Sequence, residues 1–221
     1  MGPASRIGEV CYRFTDSAEG DLALGVPSHV LAARRAAIVD LPWISLEQVH
    51  GAEVVVVDSP GDHDGASADA AVTNVAGLAL SVRTADCAPV LLVSDGAFGV
   101  VHAGWRGLRA GVIGAAAEAL RGLGHPPRSA ILGPCIRGRC YEFDDPVRRE
   151  VADSLGPSVL ATTAWGTPAL DLGAGVLVAC AAQGLPVDDA GTCTACSPNH
   201  WSHRARGDDA RQALVAWIEP G

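Results

Sequence analysis

The stretch of residues 84–107 constrains the fold of this chain more than any other, because it has the pattern of a β-hairpin. Residues 90–93 and 98–101 are two short apolar runs. The Asp95-Gly96 pair between them is one of the strongest short-range turn signals. We therefore predict two antiparallel strands joined by a two-residue turn.

The predicted hairpin brings two residues of metal-ligand type together. With Asp95 and Gly96 as the turn, His102 pairs across from Pro89, and Cys87 lies on the same strand face two positions away. Residues on such a diagonal are about 7–8 Å apart. Pro89 lacks an N–H group and could end the ladder early. The hairpin thus permits one metal ion to bridge Cys87 and His102.

A third candidate ligand is His50, in the sequence Gln-Val-His-Gly. Two imidazoles and one thiolate suit tetrahedral zinc, and three protein ligands leave a fourth position for water, as in catalytic sites. The alternative is that each histidine packs at a strand end and that Cys87 is a small buried apolar side chain. We take His50, Cys87 and His102 as the candidate metal ligands.

Composition excludes several classes of protein. The net charge is −9 and all 16 basic residues are arginine, so no basic stripe is available for nucleic acid, and Schiff-base chemistry on lysine is excluded. No apolar run approaches the roughly 18 residues of a membrane span, and no signal-peptide pattern is present. We expect a cytoplasmic protein without a nucleic-acid or membrane partner, folded as one domain of residues 1–221.

Patterning elsewhere alternates between strands and helices. Residues 44–50 and 53–57 predict strands, the second buried on both faces because it contains four consecutive valines. Residues 109–120 predict an alanine-rich helix directly behind Gly107, and Ser28 is an acceptable N-cap for an earlier helix. Since no repeat or linker interrupts this order, one compact α/β domain is expected.

Two charged residues beside the candidate ligands suggest further roles. Arg106 precedes the predicted helix, where a guanidinium and free backbone N–H groups favour an anion such as phosphate, although a surface arginine is the simpler alternative. Asp86 adjoins Cys87 and could serve as a general acid or base, or could only orient a histidine ligand.

Four of the seven cysteines lie in two pairs. Cys193 and Cys196 have CxxC spacing, and Cys135 and Cys140 lie upstream. A four-cysteine zinc site, a redox pair and unlinked buried thiols are all compatible with this arrangement. Unlinked thiols are favoured, because the spacing of the upstream pair does not match a zinc ribbon.

Residues 200–206 combine two imidazoles, an indole and two guanidiniums. Such a loop could line a pocket, with Trp201 stacking on a planar ring and the arginines contacting an anion. A solvated loop is the simpler interpretation of the composition.

Several segments, in order, resemble one known family, variously named YfiH-type, purine nucleoside phosphorylase, multicopper polyphenol oxidase or laccase-domain protein. The matching segments are Gln48-Val-His-Gly51, Ala68-Asp-Ala70 with Thr73, Thr84-Ala-Asp-Cys-Ala-Pro89, Val101-His-Ala-Gly-Trp-Arg-Gly107, Gly133-Pro-Cys-Ile136 with Cys140-Tyr-Glu142, Cys193-Thr194 and Ser202-His-Arg204. The match runs from about residue 10 to the end of the chain.

The resemblance implies an α/β fold of α+β type, a single compact domain with mixed β-sheets flanked by helices. It also implies a catalytic zinc on His50, Cys87 and His102. The implied reactions are phosphorolysis of adenosine, inosine and 5′-methylthioadenosine, and deamination of adenosine. The N-terminal family segments are altered here to Ile7-Gly8-Glu9 and Phe14-Thr15, which could narrow the substrate range.

The leading hypothesis is therefore a zinc-dependent purine nucleoside phosphorylase with adenosine deaminase activity, acting as a monomer or weak homodimer. Asp86 and Arg106 are the predicted catalytic residues. The predicted contacts to nucleoside and phosphate are Arg34, Trp105, Arg106, His203 and Arg204. A copper-dependent polyphenol oxidase is the alternative enzyme, disfavoured because multicopper clusters need more histidines and Met1 is the sole methionine. A non-catalytic, zinc-stabilised binding domain is the third hypothesis.

Overall fold

The computed structural model describes residues 4–221, which form thirteen strands and six α-helices in this part of the chain. The strands are β1 (Ser5–Ile7), β2 (Val10–Phe14), β3 (Trp43–Ser45), β4 (Val54–Val56), β5 (Ala70–Thr73), β6 (Ala79–Thr84), β7 (Ala88–Ser94), β8 (Ala97–Ala103), β9 (Ser129–Leu132), β10 (Leu160–Thr162), β11 (Pro168–Leu170), β12 (Val187–Asp189) and β13 (Gln212–Ile218). The helices are α1 (Ser28–Ile38), α2 (Trp105–Ala110), α3 (Val112–Gly122), α4 (Asp145–Leu155), α5 (Leu172–Ala181) and α6 (His203–Arg206).

Two mixed sheets organise the molecule, as the fold prediction requires. The first has the strand order β1-β2-β13-β6-β3, antiparallel except where β3 runs parallel to β6. The second has the order β12-β9-β7-β8-β5-β4, with parallel pairs at its two edges. β10 and β11 form a separate two-stranded ribbon. The predicted hairpin, β7 and β8, lies in the middle of the second sheet.

Alternate residues of the hairpin are buried in two different cores. Leu91 and Phe98 pack towards the first sheet, whereas Val90 and Leu92 pack against helices α2, α3 and α5 on the opposite face. A third apolar cluster holds α1 against the outer face of the first sheet through Leu31. The order of layers is helix, sheet, sheet, helices, and the continuous apolar run of β7 follows from burial on both faces.

The structure corrects several predicted elements. The helix expected at residues 109–120 is two helices, since Gly111 adopts φ 86° and ends α2 before α3 begins. Arg106 consequently lies inside the first turn of α2 and not ahead of a helix. Only Val54–Val56 of the predicted valine strand pairs, and these residues are half-buried because β4 is an edge strand.

Two smaller predictions are also wrong in detail. The strand expected over residues 44–50 ends at Ser45, and the residues leading to His50 form a loop. Ser28 is the first helical residue of α1, whose N-cap is Pro27, so its hydroxyl does not cap the helix. Among residues 4–221, no helix has both the length and the apolar character needed to cross a bilayer.

Candidate metal centre

The hairpin has the register that the sequence predicted. Pro89 pairs with His102, and the ladder continues to Ala88 and Ala103, so the proline does not end it early. Cys87 immediately precedes β7, and His102 is a buried residue near the end of β8. The ladder therefore holds the thiol and the imidazole at the same end of two central strands.

His50 reaches the same point from a separate loop, which Asp69 fixes in place. The buried Asp69 carboxylate accepts hydrogen bonds from the backbone N–H groups of Val49 (3.2 Å), His50 (2.9 Å) and Gly51 (2.6 Å). His50 has φ 62°, a left-handed conformation that non-glycine residues rarely adopt. Three hydrogen bonds to one carboxylate offset the cost of this backbone strain.

Asp69 also orients the second histidine. Its Oδ1 lies 2.7 Å from His102 Nδ1. With the Nδ1 proton directed at a carboxylate, the lone pair on Nε2 is available to a metal, the usual arrangement around metal-binding histidines. Burial raises the pKa of the Asp69 carboxyl, but hydrogen bonds from His102 and from the Gly51 and His50 backbone bring it below its ordinary value. The carboxylate therefore stays ionised.

The donor set fits one metal ion. Single ligand atoms of His50, Cys87 and His102 all lie within 4.8 Å of one another. The two imidazole rings meet edge to face, with centroids 4.8 Å apart. A Cβ at Gly104 would lie 3.0 Å from His50 Cδ2 and 3.2 Å from Cys87 Sγ, so a side chain here would press on two of the ligands. No fourth His, Cys, Asp or Glu among residues 4–221 joins this group, so a tetrahedral ion held there would keep its fourth position for water or substrate.

Electrostatics favour a thiolate–imidazolium pair in the metal-free protein. Burial raises the pKa of Cys87, but the charge of His102 and hydrogen bonds from both histidines lower it to about 6. Burial lowers the pKa of His102, but the Cys87 thiolate and Asp69 raise it to about 9. A metal ion would bind the thiolate directly and would displace a proton from His102.

In the metal-free protein we expect Cys87 to be alkylated by iodoacetamide with a rate that rises through a midpoint near pH 6. An ordinary thiol has its midpoint near about 8.5, since only the thiolate reacts. Peptide mapping by mass spectrometry, with the pH varied, would measure the Cys87 peptide alone. A midpoint at the ordinary thiol value would show that the two histidines do not stabilise the thiolate.

The Asp86 side chain holds two neighbouring segments of the chain in place, one at Thr194 and one at residues 202–204. Its Oδ1 accepts hydrogen bonds from Thr194 Oγ1 and Ser202 Oγ, both 2.6 Å long, and its Oδ2 accepts one of 2.6 Å from Arg204 N. Its backbone φ is 98°, the second strained non-glycine residue at the site. These contacts fix the backbone next to Cys87. Asp69, not Asp86, is the carboxylate that orients a histidine, and proton transfer by Asp86 remains a prediction.

A cavity of about 560 Å³ opens over the three candidate ligands. Its lining includes the predicted residues Asp86, Trp105, Arg106, His203 and Arg204. A second cavity of about 820 Å³ adjoins it, and Trp105, Arg106 and Arg204 line both. Arg34 lies outside both cavities. Its Nη1 donates a hydrogen bond of 2.6 Å to Asp21 O, so it holds the loop before α1.

Sequence reasoning missed three residues of the site. Asp69 enters the sequence analysis only within the Ala68-Asp-Ala70 segment of the family resemblance. Its position directly before the buried strand β5 is itself a signal, because a polar residue at the end of a buried strand is a candidate site residue. Arg83 and Arg211 also line the smaller cavity. Burial and the charges of Arg35 and Arg211 lower the pKa of Arg83 to about 10, and its buried Nη1 has no hydrogen-bond partner among the described residues. Its Nη2 donates a hydrogen bond of 2.6 Å to Leu46 O.

Sequence comparison finds one matching family model and several relatives that are named purine nucleoside phosphorylases. The model of a family described as multi-copper polyphenol oxidoreductase laccase matches residues 15–219. A purine nucleoside phosphorylase of Streptomyces griseus, ORF3, is 43% identical over 195 residues, covering 85% of this chain and 79% of the relative. One of Mycobacterium bovis is 39% identical over 212 residues, covering 90% and 84%.

Comparison of structures finds the same fold in two bacterial proteins. YlmD from Geobacillus stearothermophilus superposes with a TM-score of 0.80 at 26% identity, covering 96% of this chain and 92% of that one. The Neisseria meningitidis protein NMB0706 superposes with a TM-score of 0.84 at 23% identity, covering 99% of both chains. All three candidate metal ligands lie within residues 15–219, the range that the family model matches.

Proposed function

Because the chain belongs to the multi-copper polyphenol oxidoreductase laccase family, we propose that it is a zinc-dependent purine nucleoside phosphorylase that also deaminates adenosine. The observation that supports this most is the group of three candidate metal ligands, which lines the same cavity as four arginines. The names of the curated relatives agree with the first activity. The proposed substrates are adenosine, inosine and 5′-methylthioadenosine with phosphate. The products are the free base and ribose 1-phosphate, or 5-methylthioribose 1-phosphate from 5′-methylthioadenosine.

His50, Cys87 and His102 would hold the zinc ion. When bound, zinc would supply Lewis-acid activation of water for deamination. The chain's own contribution is to prepare the ligands: Asp69 fixes one histidine through its backbone and the other through its ring. Ligands held in position before binding lose little conformational freedom when a metal arrives.

Phosphate is proposed to bind among the arginines of the smaller cavity. Arg83, Arg106, Arg204 and Arg211 all line it. The Arg204 guanidinium lies 4.6 Å from the Tyr141 ring centroid, and Nη1 donates to Glu142 O at 2.5 Å, so it is held rigidly. The exposed Arg106 guanidinium lies over the Trp105 ring, with no ion pair or hydrogen bond among the described residues. Arg106 is therefore the guanidinium most available to a phosphate.

Replacing Arg106 with Ala is expected to lower kcat/KM for phosphate about tenfold to a hundredfold, since a charge-assisted hydrogen bond contributes about 1.5–3 kcal/mol. Arg109→Ala is the matched control, on the same helix but paired with Glu150 at the surface. Steady-state kinetics with phosphate as the varied substrate would measure both variants. Equal constants for the two would rule out a phosphate contact by Arg106.

Copper-dependent polyphenol oxidation is the alternative that the description of the family raises. The candidate site offers two imidazoles and one thiolate, and the other metal-type cluster among residues 4–221 contains three cysteines and no histidine. A multicopper cluster needs more histidines than this. Retention of copper with a visible absorption band would favour the oxidase and contradict the zinc proposal.

The test is to incubate protein of measured zinc content with adenosine, with and without phosphate, and to separate the products by chromatography. Adenine formed only with phosphate supports phosphorolysis. Inosine formed without phosphate supports deamination. If adenosine, inosine and methylthioadenosine all survive unchanged when zinc is bound at His50, Cys87 and His102, the proposal is wrong and a zinc-stabilised binding domain takes its place.

A further inference from the structure

A second group of metal-type residues lies apart from His50, Cys87 and His102. Cys140, Cys193 and Cys196 are free thiols whose sulfur atoms all lie within 4.8 Å of one another. The sulfur atoms of Cys140 and Cys196 are 3.1 Å apart. The sequence favoured unlinked buried thiols, but the fold gathers these three from segments more than 50 residues apart, and Cys196 is exposed.

The turn that carries two of these cysteines is closed by backbone hydrogen bonds to one carbonyl group. Cys193 O accepts hydrogen bonds from the N–H groups of Cys196 (3.2 Å) and Ser197 (3.0 Å). This turn brings the sulfur atoms of Cys193 and Cys196 within 4.8 Å of each other and of the Cys140 sulfur.

We propose that Cys140, Cys193 and Cys196 bind a second metal ion, zinc, with one further position open to an external ligand. Three sulfurs at about 2.3 Å from a tetrahedral zinc are about 3.8 Å apart. This separation falls between the 3.1 Å that separates the Cys140 and Cys196 sulfur atoms and the limit of 4.8 Å for the cluster. Thiolates are ligands that zinc selects in such sites. Three bare thiolates this close together repel one another, and a bound cation removes this unfavourable electrostatic energy.

The position of the cluster indicates what the metal would do. Cys140 and Ala195 line the larger cavity, so the cluster borders a space that a ligand can enter. Thr194, inside the same turn, donates its hydroxyl hydrogen to Asp86 beside Cys87. A zinc ion here would clamp the Cys193 turn to the segment ending at Cys140. It would thereby stabilise the turn whose Thr194 side chain holds Asp86, although it would share no ligand with the first site.

The alternative to metal binding by this cluster is a disulfide bond between Cys140 and Cys196. Its two sulfurs are farther apart than the roughly 2.05 Å of a bonded pair. Forming that bond would need an oxidant and would remove two of the three ligands. The experiment must therefore be run under a reductant that does not bind zinc, with the thiols counted before metal is added.

The test uses the Cys87→Ala variant, in which the first site is disabled. After removal of metal, Co²⁺ titration of this variant is expected to give sulfur-to-cobalt charge-transfer absorption and tetrahedral ligand-field bands, at one ion per chain, which zinc displaces. Adding Cys196→Ser should abolish both signals, and adding Cys140→Ser should do the same. Adding Cys180→Ala, a buried thiol outside the cluster, should change neither.

Absence of cobalt absorption in Cys87→Ala, with its thiols reduced and its circular dichroism unchanged, would overturn the second site. A mass-mapped disulfide between Cys140 and Cys196 that persists under reductant would also overturn it. Displacement of cobalt by copper(I) but not by zinc would overturn the assignment to zinc. Because none of these measurements uses nucleoside turnover, failure here is distinguishable from failure of the proposed enzyme activity.

Discussion

Replacing Cys87 with Ala is expected to remove the metal from the first site and to lower nucleoside turnover about a thousandfold or more. Cys87 is the one thiolate among the three ligands, and its negative charge neutralises part of the charge of a divalent cation. Loss of a Lewis acid costs several kcal/mol of transition-state stabilisation, and each 1.36 kcal/mol is about tenfold in rate. Metal analysis and product chromatography would measure the two losses together.

The control for this substitution is Cys180→Ala, which removes a thiol from the buried face of α5 and leaves the site untouched. Both variants should retain the circular dichroism of the wild type. Undiminished turnover in Cys87→Ala would refute the zinc-dependent assignment. A fall in turnover of both variants would instead trace the effect to stability.

Replacing Asp69 with Asn is expected to weaken metal affinity about tenfold to a hundredfold, although Asp69 is not itself in the ligand group. The amide has one acceptor oxygen, whereas the carboxylate accepts from three backbone N–H groups and from His102 Nδ1. At least one buried donor is left unsatisfied, which costs about 1–3 kcal/mol of stability. Zinc titration against a chelator and denaturant unfolding would measure the two effects.

The pH dependence of unfolding adds a second readout. Because the pKa of Asp69 is lowered in the fold, its contribution to stability is present above the unfolded carboxyl value of about 3.9 and is lost as pH falls through the folded value. The wild type should therefore lose stability in this acidic window, and Asp69→Asn should lose less. Asp62→Asn is the matched control, because its carboxylate accepts one exposed backbone hydrogen bond. A control that behaves like Asp69→Asn would contradict the role assigned to Asp69.

The hairpin could be predicted because the residues that define it lie close together in the sequence. Two apolar runs and Asp95-Gly96 set the register, and the register alone places His102 across from Pro89 and beside Cys87. The family resemblance and the mixed-sheet fold are confirmed by the matching family model and the solved structures. The identity of the metal and the catalytic roles of Asp86 and Arg106 remain predictions.

The errors have physical reasons. Residues 109–120 have a helical pattern apart from the glycines, and the break at Gly111 depends on a left-handed backbone that the pattern does not reveal. The role of Asp69 depends on bringing residues 49–51 and His102 to one carboxylate. These residues come together only when β4 pairs with β5 and β5 pairs with β8. The three strands come from separate segments of the chain, so no short stretch of sequence predicts the contact.

The position of β13 has a consequence for how the chain is made. This strand, Gln212–Ile218, lies between β2 and β6 and pairs with both. During synthesis on the ribosome, β2 emerges about two hundred residues before its neighbour, and the first sheet has a gap at its centre until then. Exposed strand edges invite pairing with other chains. Nascent chains that stall before Gln212 should therefore depend on chaperones, and truncation there should abolish folding even though the candidate metal ligands are already present.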